Sequence, residues 1–281
     1  MRTKLAIRPI LQAALAETWL RLLYMSRYPG ELIMEILSPI FFAAMPIFLS
    51  QAVLGNNVAT NFEANTGTAN YVLYLLVGAN AFTIVTRAFK DIARWLRYEQ
   101  ETGTLEAIYL TPTSALTLAS GVGVYSAIRG MGTSIIAYLL GCLLFRVNPF
   151  QGNIMLAFLF ILVGLTPLYA IAFLFGSVVL KVKKSEAILG LIEWGACFLM
   201  GVYYPLTMLP PLARALALLF PPTWLINGVR SALLGVGFFF ERWYYDMAVL
   251  CLFLIFTPLF TLWVFRRVEN NIRHNEGIGQ F

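Results

Sequence analysis

Six apolar stretches, each about as long as a membrane-crossing helix, limit what this chain can fold into more than any other feature of its sequence. An α-helix needs about 20 apolar residues to cross a hydrocarbon core of about 30 Å. Only 12% of the 281 residues are charged, whereas about 25% is usual in a soluble chain. We therefore predict an all-α polytopic membrane protein with six transmembrane helices. The predicted spans are 32–54, 70–92, 116–145, 154–180, 187–204 and 247–266.

The three cysteines and the single histidine do not form a recognisable site. Cys142, Cys197 and Cys251 lie far apart within apolar stretches, a spacing that is typical of neither a disulfide framework nor a metal site. Such cysteines usually pack as small hydrophobic residues. His274 lies in a polar tail without nearby ligands, and a zinc site needs about four ligands. The sequence thus predicts no metal site.

Residues 1–31 precede the first span and have the pattern of an amphipathic helix that lies on the membrane surface. Their charged residues are scattered among apolar ones, unlike the separate charged and apolar regions of a signal peptide. The apolar residues that recur at helical spacing are Ile7, Ile10, Leu11, Ala14 and Leu15. Pro29 and Gly30 then predict a break before the first span. We therefore divide the chain into an N-terminal helix, 1–31, and a six-span domain, 32–281.

Lysine and arginine are distributed unevenly between the two sides of the predicted membrane domain. Fifteen of the 20 basic residues fall in the N-terminal segment, in the connections 87–114 and 181–186, and in the C-terminal tail. Basic residues concentrate in cytoplasmic loops, so we predict that both termini are cytoplasmic and that 55–69 and 205–246 are outside. The net charge of +6 indicates contact with anionic lipid. No basic stripe with interleaved aromatic residues indicates nucleic acid as a partner.

The cytoplasmic connection 94–114, RWLRYEQETGTLEAIYLTPTS, is more structured than an ordinary loop. Gly103 separates two short stretches with helical character, and Thr102 or Thr104 is suited to cap the second stretch. Thr111-Pro112 marks its end. One interpretation is a charged hairpin that docks on a soluble partner. The other is a solvated loop with an incidental amphipathic helix, and periodicity alone does not separate the two.

The segment 205–232 is too apolar for a loop in water and too rich in proline for a straight spanning helix. Leu212 and Leu216 would face water in a solvated loop, and the proline pairs 210–211 and 221–222 interrupt helical hydrogen bonding. Backbone at membrane depth must be hydrogen bonded, buried in protein or exposed to a water-filled cavity. We therefore predict two short re-entrant helices in the outer leaflet, before the last span.

Three of the charged residues within the predicted spans need a specific explanation, since each charge in a membrane costs some 2.5–3.5 kcal/mol on insertion scales. Arg129 lies in the third span, Glu35 in the first and Glu193 in the fifth. An internal ion pair of Arg129 with Glu35 or with Glu193 is one explanation, because pairing lowers the cost of the charge. The functional alternative places Glu193, with Trp194 and Phe198, on a cavity wall that meets the substrate.

The second span carries residues that suit the same cavity. An amphipathic substrate needs aromatic and apolar walls with few polar groups. Asn80, Phe82 and Thr83 have this character. Ordinary packing between helices is an equally good explanation for these three residues.

Two motifs in this chain resemble those of ABC-2 type permeases. Residues 99–114 read E-x-x-x-G-T-L-E-x-(apolar)-x-x-T-P-T-S, which is similar to the cytoplasmic signature of that family. Residues 201–230 contain G-x-Y-Y-P, then F-P-P-x-W, then G-x-R, which is similar to its second signature, before the last span. The two motifs occur in order and on opposite predicted faces of a six-span chain. The resemblance therefore covers essentially the whole sequence.

The resemblance implies that two such permeases pair, here as a homodimer, and that each binds a separate cytoplasmic ATPase. The residues implied in ATPase coupling are Glu99, Glu101, Thr102, Gly103, Thr104, Leu105 and Glu106 in the first coupling helix, and Lys183 and Lys184 in a second, shorter contact. Residues 5–25 would form the surface connecting helix beside the first coupling helix. The chain lacks G-x-x-x-x-G-K-[ST], so ATP and Mg²⁺ would be bound by the two copies of the partner ATPase. We expect no catalytic residue in this chain.

The resemblance also implies export of an amphipathic or hydrophobic substrate (drug, lipid or glycan precursor) across a prokaryotic plasma or inner membrane. The segment 205–232 would cap the outer end of the path, with an outer gate formed by Tyr203, Tyr204, Pro205 and Leu206. A fixed plug that stabilises the fold is the alternative for that segment. A secondary transporter and a structural membrane subunit are the alternatives for the whole chain, although no internal repeats indicate the former.

Overall fold

The computed structural model describes residues 7–104, 108, 115–179 and 185–275. Within them the chain forms ten α-helices and no strand. The helices are α1 (Ile7–Arg27), α2 (Pro29–Leu54), α3 (Val58–Thr66), α4 (Tyr71–Glu101), α5 (Ala115–Leu144), α6 (Ile154–Val179), α7 (Ser185–Leu199), α8 (Pro211–Leu218), α9 (Pro221–Leu234) and α10 (Trp243–Asn275).

Five of these helices, α2, α4, α5, α6 and α10, are long and apolar enough to cross a membrane. They confirm five of the predicted spans, although α4 continues nine residues beyond its predicted end at residue 92. The predicted fifth span, 187–204, is wrong at its C-terminal end, because α7 stops at Leu199 and a turn follows. With 15 residues, α7 is about 22 Å long. The all-helical, polytopic membrane fold is confirmed.

Helix α4 is the centre of the bundle. Leu73, Phe89 and Ile92 have no exposed surface, and the helix packs against α2, α5, α6, α7 and α9. Glycines on its neighbours permit this close approach: a Cβ on Gly176 of α6 would lie 3.0 Å from Ile92, and one on Gly141 of α5 would lie 2.8 Å from a methyl of Leu76. Small residues of this kind let helices in membranes approach each other closely.

Helix α7 runs antiparallel to α4. Leu189, near its start, packs against Ala93, and Val202, in the turn after it, lies against Gly78. Residues 78 and 93 are about 22 Å apart along a helix axis. The chain from residue 189 to residue 202 therefore runs alongside the central part of α4.

Helices α8 and α9 each begin at a proline, and their axes meet at 90°. Proline is favourable in the first turn of a helix, where its missing N–H is not needed. Helix α9 runs back along the first half of α6, with Leu225 against Gly164 and the carbonyl of Leu233 against Gly152. The prediction of two short helices broken at the proline pairs is confirmed.

One end of the bundle carries the connections 55–70, 145–153, 200–210 and 235–242, and we call it the cap end. Helix α3 lies in the first of these connections, for which the sequence predicted only a loop. Phe62 of α3 packs edge-on against Tyr74 with ring centroids 5.1 Å apart. The short helix thus covers the start of α4.

Helix α1 packs across the start of α5, at the end of the bundle opposite the cap. The hydroxyl of Thr18 donates a hydrogen bond to the carbonyl of Gly121 at 2.9 Å, and a Cβ on Gly121 would lie 2.5 Å from the carbonyl oxygen of Ala14. The other face exposes Trp19 and Leu20. The predicted N-terminal helix is confirmed over residues 7–27, and it ends just before Pro29 as expected.

Candidate functional site

The predicted coupling segment begins as a direct extension of α4. Arg97 Nε donates to Glu101 Oε1 at 2.6 Å, an ion pair across one helical turn. Gly103 then has a φ of 73°, a left-handed conformation that glycine adopts without steric cost. The helix therefore keeps its regular form up to the first residues of the coupling motif.

Thr102 and Thr104 close the C-terminus of α4. The Thr102 hydroxyl donates to the carbonyl of Tyr98 at 2.7 Å, and the Thr104 hydroxyl donates to the carboxylate of Glu99. Both hydroxyls thus bind the preceding helix. The following stretch, which the sequence predicts one of them to cap, lies outside the described residues except for residue 108. Leu105 and Glu106 lie outside the described residues, as do Lys183 and Lys184 of the second predicted contact.

The tip of α4 is open to solvent. The side chain of Glu101 is 61% exposed, and residues 102–104 are exposed as well. A Cβ on Gly103 would meet no atom of the described residues within 4 Å. The tip thus ends a helix that is otherwise fixed in the core of the bundle.

A charge network crosses the bundle between α2, α4 and α5. Arg129 Nε donates to Glu35 Oε2 at 3.0 Å, and its Nη1 donates to the Tyr125 hydroxyl at 2.6 Å. Its Nη2 lies 2.6 Å from Glu35 Oε1 and 3.1 Å from Glu31 Oε2, and Arg87 also pairs with Glu35. Of the two partners considered for Arg129, the structure therefore selects Glu35.

Hydrogen bonds extend this polar region to α6. The Ser126 hydroxyl donates to Asp91 Oδ2 at 2.6 Å and accepts from the Tyr169 hydroxyl at 3.0 Å. Ser126 is fully buried. Together with the arginine pairs, these bonds join α2, α4, α5 and α6 in the half of the bundle opposite the cap.

Glu193 pairs with a lysine of α4 and not with Arg129. Its Oε2 lies 3.1 Å from Lys90 Nζ, while its Oε1 is buried without a hydrogen-bond partner among the described residues. The neighbouring aromatic side chains point outward: Trp194 is 67% exposed and Phe198 is 49% exposed. On α7, Trp194 and Phe198 therefore form part of the outer surface of the subunit, whereas Glu193 is mostly buried.

The other predicted path residues lie inside the subunit. Asn80 and Phe82 are each 5% exposed. Asn80 accepts a hydrogen bond from the Ser134 hydroxyl of α5 at 3.3 Å, and Phe82 packs edge-on against Phe42 of α2. Thr83 is half-buried and bonds within its own helix. One subunit thus does not bring these three residues together with the aromatic face of α7.

Arg230 fastens the turn after α7 to the rest of the cap end. Its guanidinium is buried and donates two hydrogen bonds, from Nη1 to the carbonyl of Gly201 at 2.8 Å and from Nη2 to the carbonyl of Val202. The same group lies 3.7 Å from the ring centroid of Tyr74. Gly78 makes room for this arrangement, because a Cβ there would overlap Arg230 Nη2 and the Val202 oxygen. The two ends of the second motif, G-x-Y-Y-P and G-x-R, therefore meet in space.

The predicted outer gate is packed at the cap end. Leu206 is buried, and Tyr203, Tyr204 and Pro205 are half-buried. The Tyr204 hydroxyl donates to the carbonyl of Phe198 at 2.6 Å. Burial raises the pKa of Tyr203 and of Tyr204 to about 12. Both phenols are therefore protonated at neutral pH, and that of Tyr204 acts as a hydrogen-bond donor.

A cavity of about 320 Å³ opens beside the turn and the re-entrant helices. Arg214 and Arg230 both lie in its wall, and none of the described acidic side chains lines it. The polar residues that line it besides the two arginines are Asn65, Thr66, Tyr74, Tyr204, Thr207, Thr223 and Asn227. Sequence reasoning singled out Arg129 but missed Arg230, although the same signal, a charge within an apolar segment, was present for both.

Comparisons with known proteins agree with this architecture. A family model described as "ABC-2 family transporter protein" matches residues 49–265, which include both motifs. The chain is also similar to proteins named "Inner membrane transport permease YadH" from Escherichia coli strain K12, E. coli O157:H7 and Shigella flexneri. In each case 24% of 186 aligned residues are identical, covering 66% of this chain and 71% of the relative.

Proposed function

The chain belongs to the ABC-2 family of transporter proteins, and we propose that this transport permease is the membrane subunit of an ATP-driven exporter. Energy comes from a separate cytoplasmic ATPase that binds ATP and Mg²⁺. The proposal rests on one observation at the tip of α4. The first residues of the coupling motif, 101–104, are exposed there, at the end of a helix that is buried along most of its length. A chain without its own phosphate-binding loop needs such a point of contact to use ATP.

Helix α4 has the geometry to transmit a movement from the ATPase through the membrane. Its 31 residues correspond to about 46 Å of continuous helix. In the half of α4 that leads to the tip, Lys90 forms an ion pair with Glu193 of α7. Near the cap end, Tyr74 and Gly78 contact Arg230. A displacement of residues 99–104 therefore acts on the turn that carries the outer gate.

We place the substrate path between two copies of this chain. Helix α7 exposes Leu191, Trp194 and Phe198, an apolar and aromatic face that suits an amphipathic substrate and a symmetric contact. The turn with Tyr203 and Tyr204 lies directly above this face and acts as its lid. In this assembly, a homodimer binds two ATPase subunits and both termini are in the cytoplasm, as the basic residues of the connections indicate.

Variants at the tip of α4 test the coupling. We expect both Glu101→Ala and Gly103→Leu to fold and reach the membrane. The surface pair of Glu101 with Arg97 contributes at most about 1 kcal/mol. Leucine at Gly103, where φ is 73°, costs roughly 1–2 kcal/mol in backbone strain. Both variants should lose ATPase binding or transport by about tenfold or more. The measurement is affinity purification of the permease from native membranes, with detection of a co-purifying ABC ATPase and of its stimulated ATP hydrolysis.

Glu63→Ala is the matched control, because Glu63 is an exposed glutamate on α3 at the cap end. It should leave ATPase binding unchanged. If the two tip variants bind and stimulate the ATPase as well as this control does, the tip is only a loop. Transport that persists without any ATPase would instead favour a secondary transporter.

Single-cysteine variants, made after replacement of the three native cysteines, test the orientation and the dimer. An impermeant thiol reagent applied to intact cells should label Tyr204→Cys and should not label Gln100→Cys. Oxidation should cross-link Tyr204→Cys between two copies and stop transport until the disulfide is reduced. Labelling at residue 100 from outside would overturn the orientation, and full transport by the cross-linked dimer would show that the turn need not open.

A further inference from the structure

The cap end contains a buried positive charge that the protein itself does not neutralise. Arg230 is 3% exposed, and no acidic side chain among the described residues forms an ion pair with it. Its partners are two carbonyl oxygens and the ring of Tyr74, and its Nε has no hydrogen-bond partner. Arg87 and Arg129, whose side chains are each 10% exposed, are both paired with Glu35. Arg230 therefore differs from them in lacking a counter-charge among the described residues.

The cavity of about 320 Å³ described above lies against this guanidinium. Arg214 of α8 adds a second positive charge to its wall, and the remaining polar groups are hydroxyls and amides. Asp246, the buried acid behind Phe239, uses both of its oxygens to accept hydrogen bonds from the N–H groups of Phe239 and Phe240 at 2.8 and 3.0 Å. Every charged side chain that lines the cavity is thus positive.

Apolar side chains form the rest of the cavity wall, among them Leu206, Ile226, Val236 and Phe238. A pocket of this size is at the lower end of the range for small-molecule sites, so it accommodates a headgroup and leaves most of a hydrophobic tail outside. The apolar part of the wall provides the surface against which the start of such a tail would lie.

We propose that this cavity is a binding site for the anionic headgroup, a phosphate or a carboxylate, of an amphipathic molecule. Arg214 and the guanidinium of Arg230 supply the charge, and the hydroxyl and amide groups of the wall supply further hydrogen bonds. Charge-assisted hydrogen bonds from arginine are roughly twice as strong as neutral ones. The inference concerns binding by the permease alone, so it is independent of whether an ATPase drives transport.

Native mass spectrometry of the purified permease in a zwitterionic detergent tests the site. The probes are phosphatidylglycerol, phosphatidylcholine and inorganic phosphate. We expect phosphatidylglycerol to bind more tightly than phosphatidylcholine, and Arg214→Gln to weaken it by about tenfold through the loss of one charged donor. Arg242→Gln, which removes an exposed arginine at the same end but outside the cavity wall, should have no effect.

A second variant covers the case in which Arg214 contributes little. Asn227→Asp changes one atom of a cavity-lining side chain whose amide makes only a 3.4 Å bond, and it should also weaken phosphatidylglycerol binding. Competition by inorganic phosphate would identify the free anion as a sufficient ligand, and its failure to compete would identify the lipid as the ligand. Equal affinity for the two lipids, or an unchanged affinity in both cavity variants, would overturn the proposal.

Discussion

Replacing Glu35 with glutamine should destabilise the permease by about 3–5 kcal/mol, the usual cost of removing one partner of a buried ion pair. Glu35 is the carboxylate shared by Arg87 and Arg129, whose side chains are each only 10% exposed. Without it, two guanidinium groups remain close together in the interior of a membrane domain. We expect the midpoint of thermal unfolding in detergent, followed by size-exclusion chromatography, to fall by roughly 10 °C.

Glu31→Gln is the control for this prediction, since Glu31 also contacts Arg129 but is 67% exposed. Its loss should cost less than about 1 kcal/mol. The double variant Glu35→Met with Arg129→Met removes charge of both signs and should recover part of the stability. An equal effect of the Glu31 and Glu35 variants would show that burial does not govern this network.

Replacing Gly78 with alanine should have the second large effect, a destabilisation of about 3 kcal/mol. The new methyl group would overlap the Val202 carbonyl oxygen and Nη2 of Arg230. A backbone carbonyl moves only with the turn that carries it, so the two bonds from Arg230 to residues 201 and 202 would be strained or lost. Thermal unfolding of the detergent-solubilised variant measures the loss, and limited proteolysis locates it at the cap end.

Gly132→Ala is the matched control, because Gly132 lies within α5 and a Cβ there would meet no atom within 4 Å. Alanine is the better helix former by about 1 kcal/mol, so this variant should be neutral or slightly more stable. If Gly78→Ala behaves in the same way, the contact between α4 and the turn at 201–202 does not hold the cap end together.

The sequence predicted the helices well because the bilayer leaves few alternatives. A chain in hydrocarbon must satisfy its backbone hydrogen bonds within each helix, so long apolar stretches predict spans and prolines predict interruptions. For this reason the break before Pro29 and the pair of short helices at 211–234, bent at the prolines 221–222, were both correct. The end of α7 was not, because residues 200–204 are largely apolar. The turn there depends on Gly201, whose φ is 60°, and on the bonds that Arg230 donates to the carbonyls of Gly201 and Val202.

The candidate site was predictable only where its residues are consecutive in sequence. The coupling segment is one motif, and its exposed tip at residues 101–104 lies where the sequence placed a connection. The hydrogen bonds of Thr102 and Thr104 to α4 were not predicted, because a hydroxyl between two helical stretches has polar groups of both within reach and sequence does not say which it binds. Helix α3 was missed because a short polar helix has no apolar periodicity of its own and depends on packing over α4.

The sequence by itself determined that Arg129, Glu35 and Glu193 need partners, since unpaired charge in a membrane domain is costly wherever it falls. The tertiary structure alone decided which partners they have. Helix α2 packs against α5, which brings Glu35 to Arg129, and α7 packs against α4, which brings Glu193 to Lys90. An ion pair forms only between side chains a few ångströms apart, so it depends on which helices are neighbours. Which helices are neighbours is decided by how their surfaces pack, and the distance between residues along the chain does not reveal it.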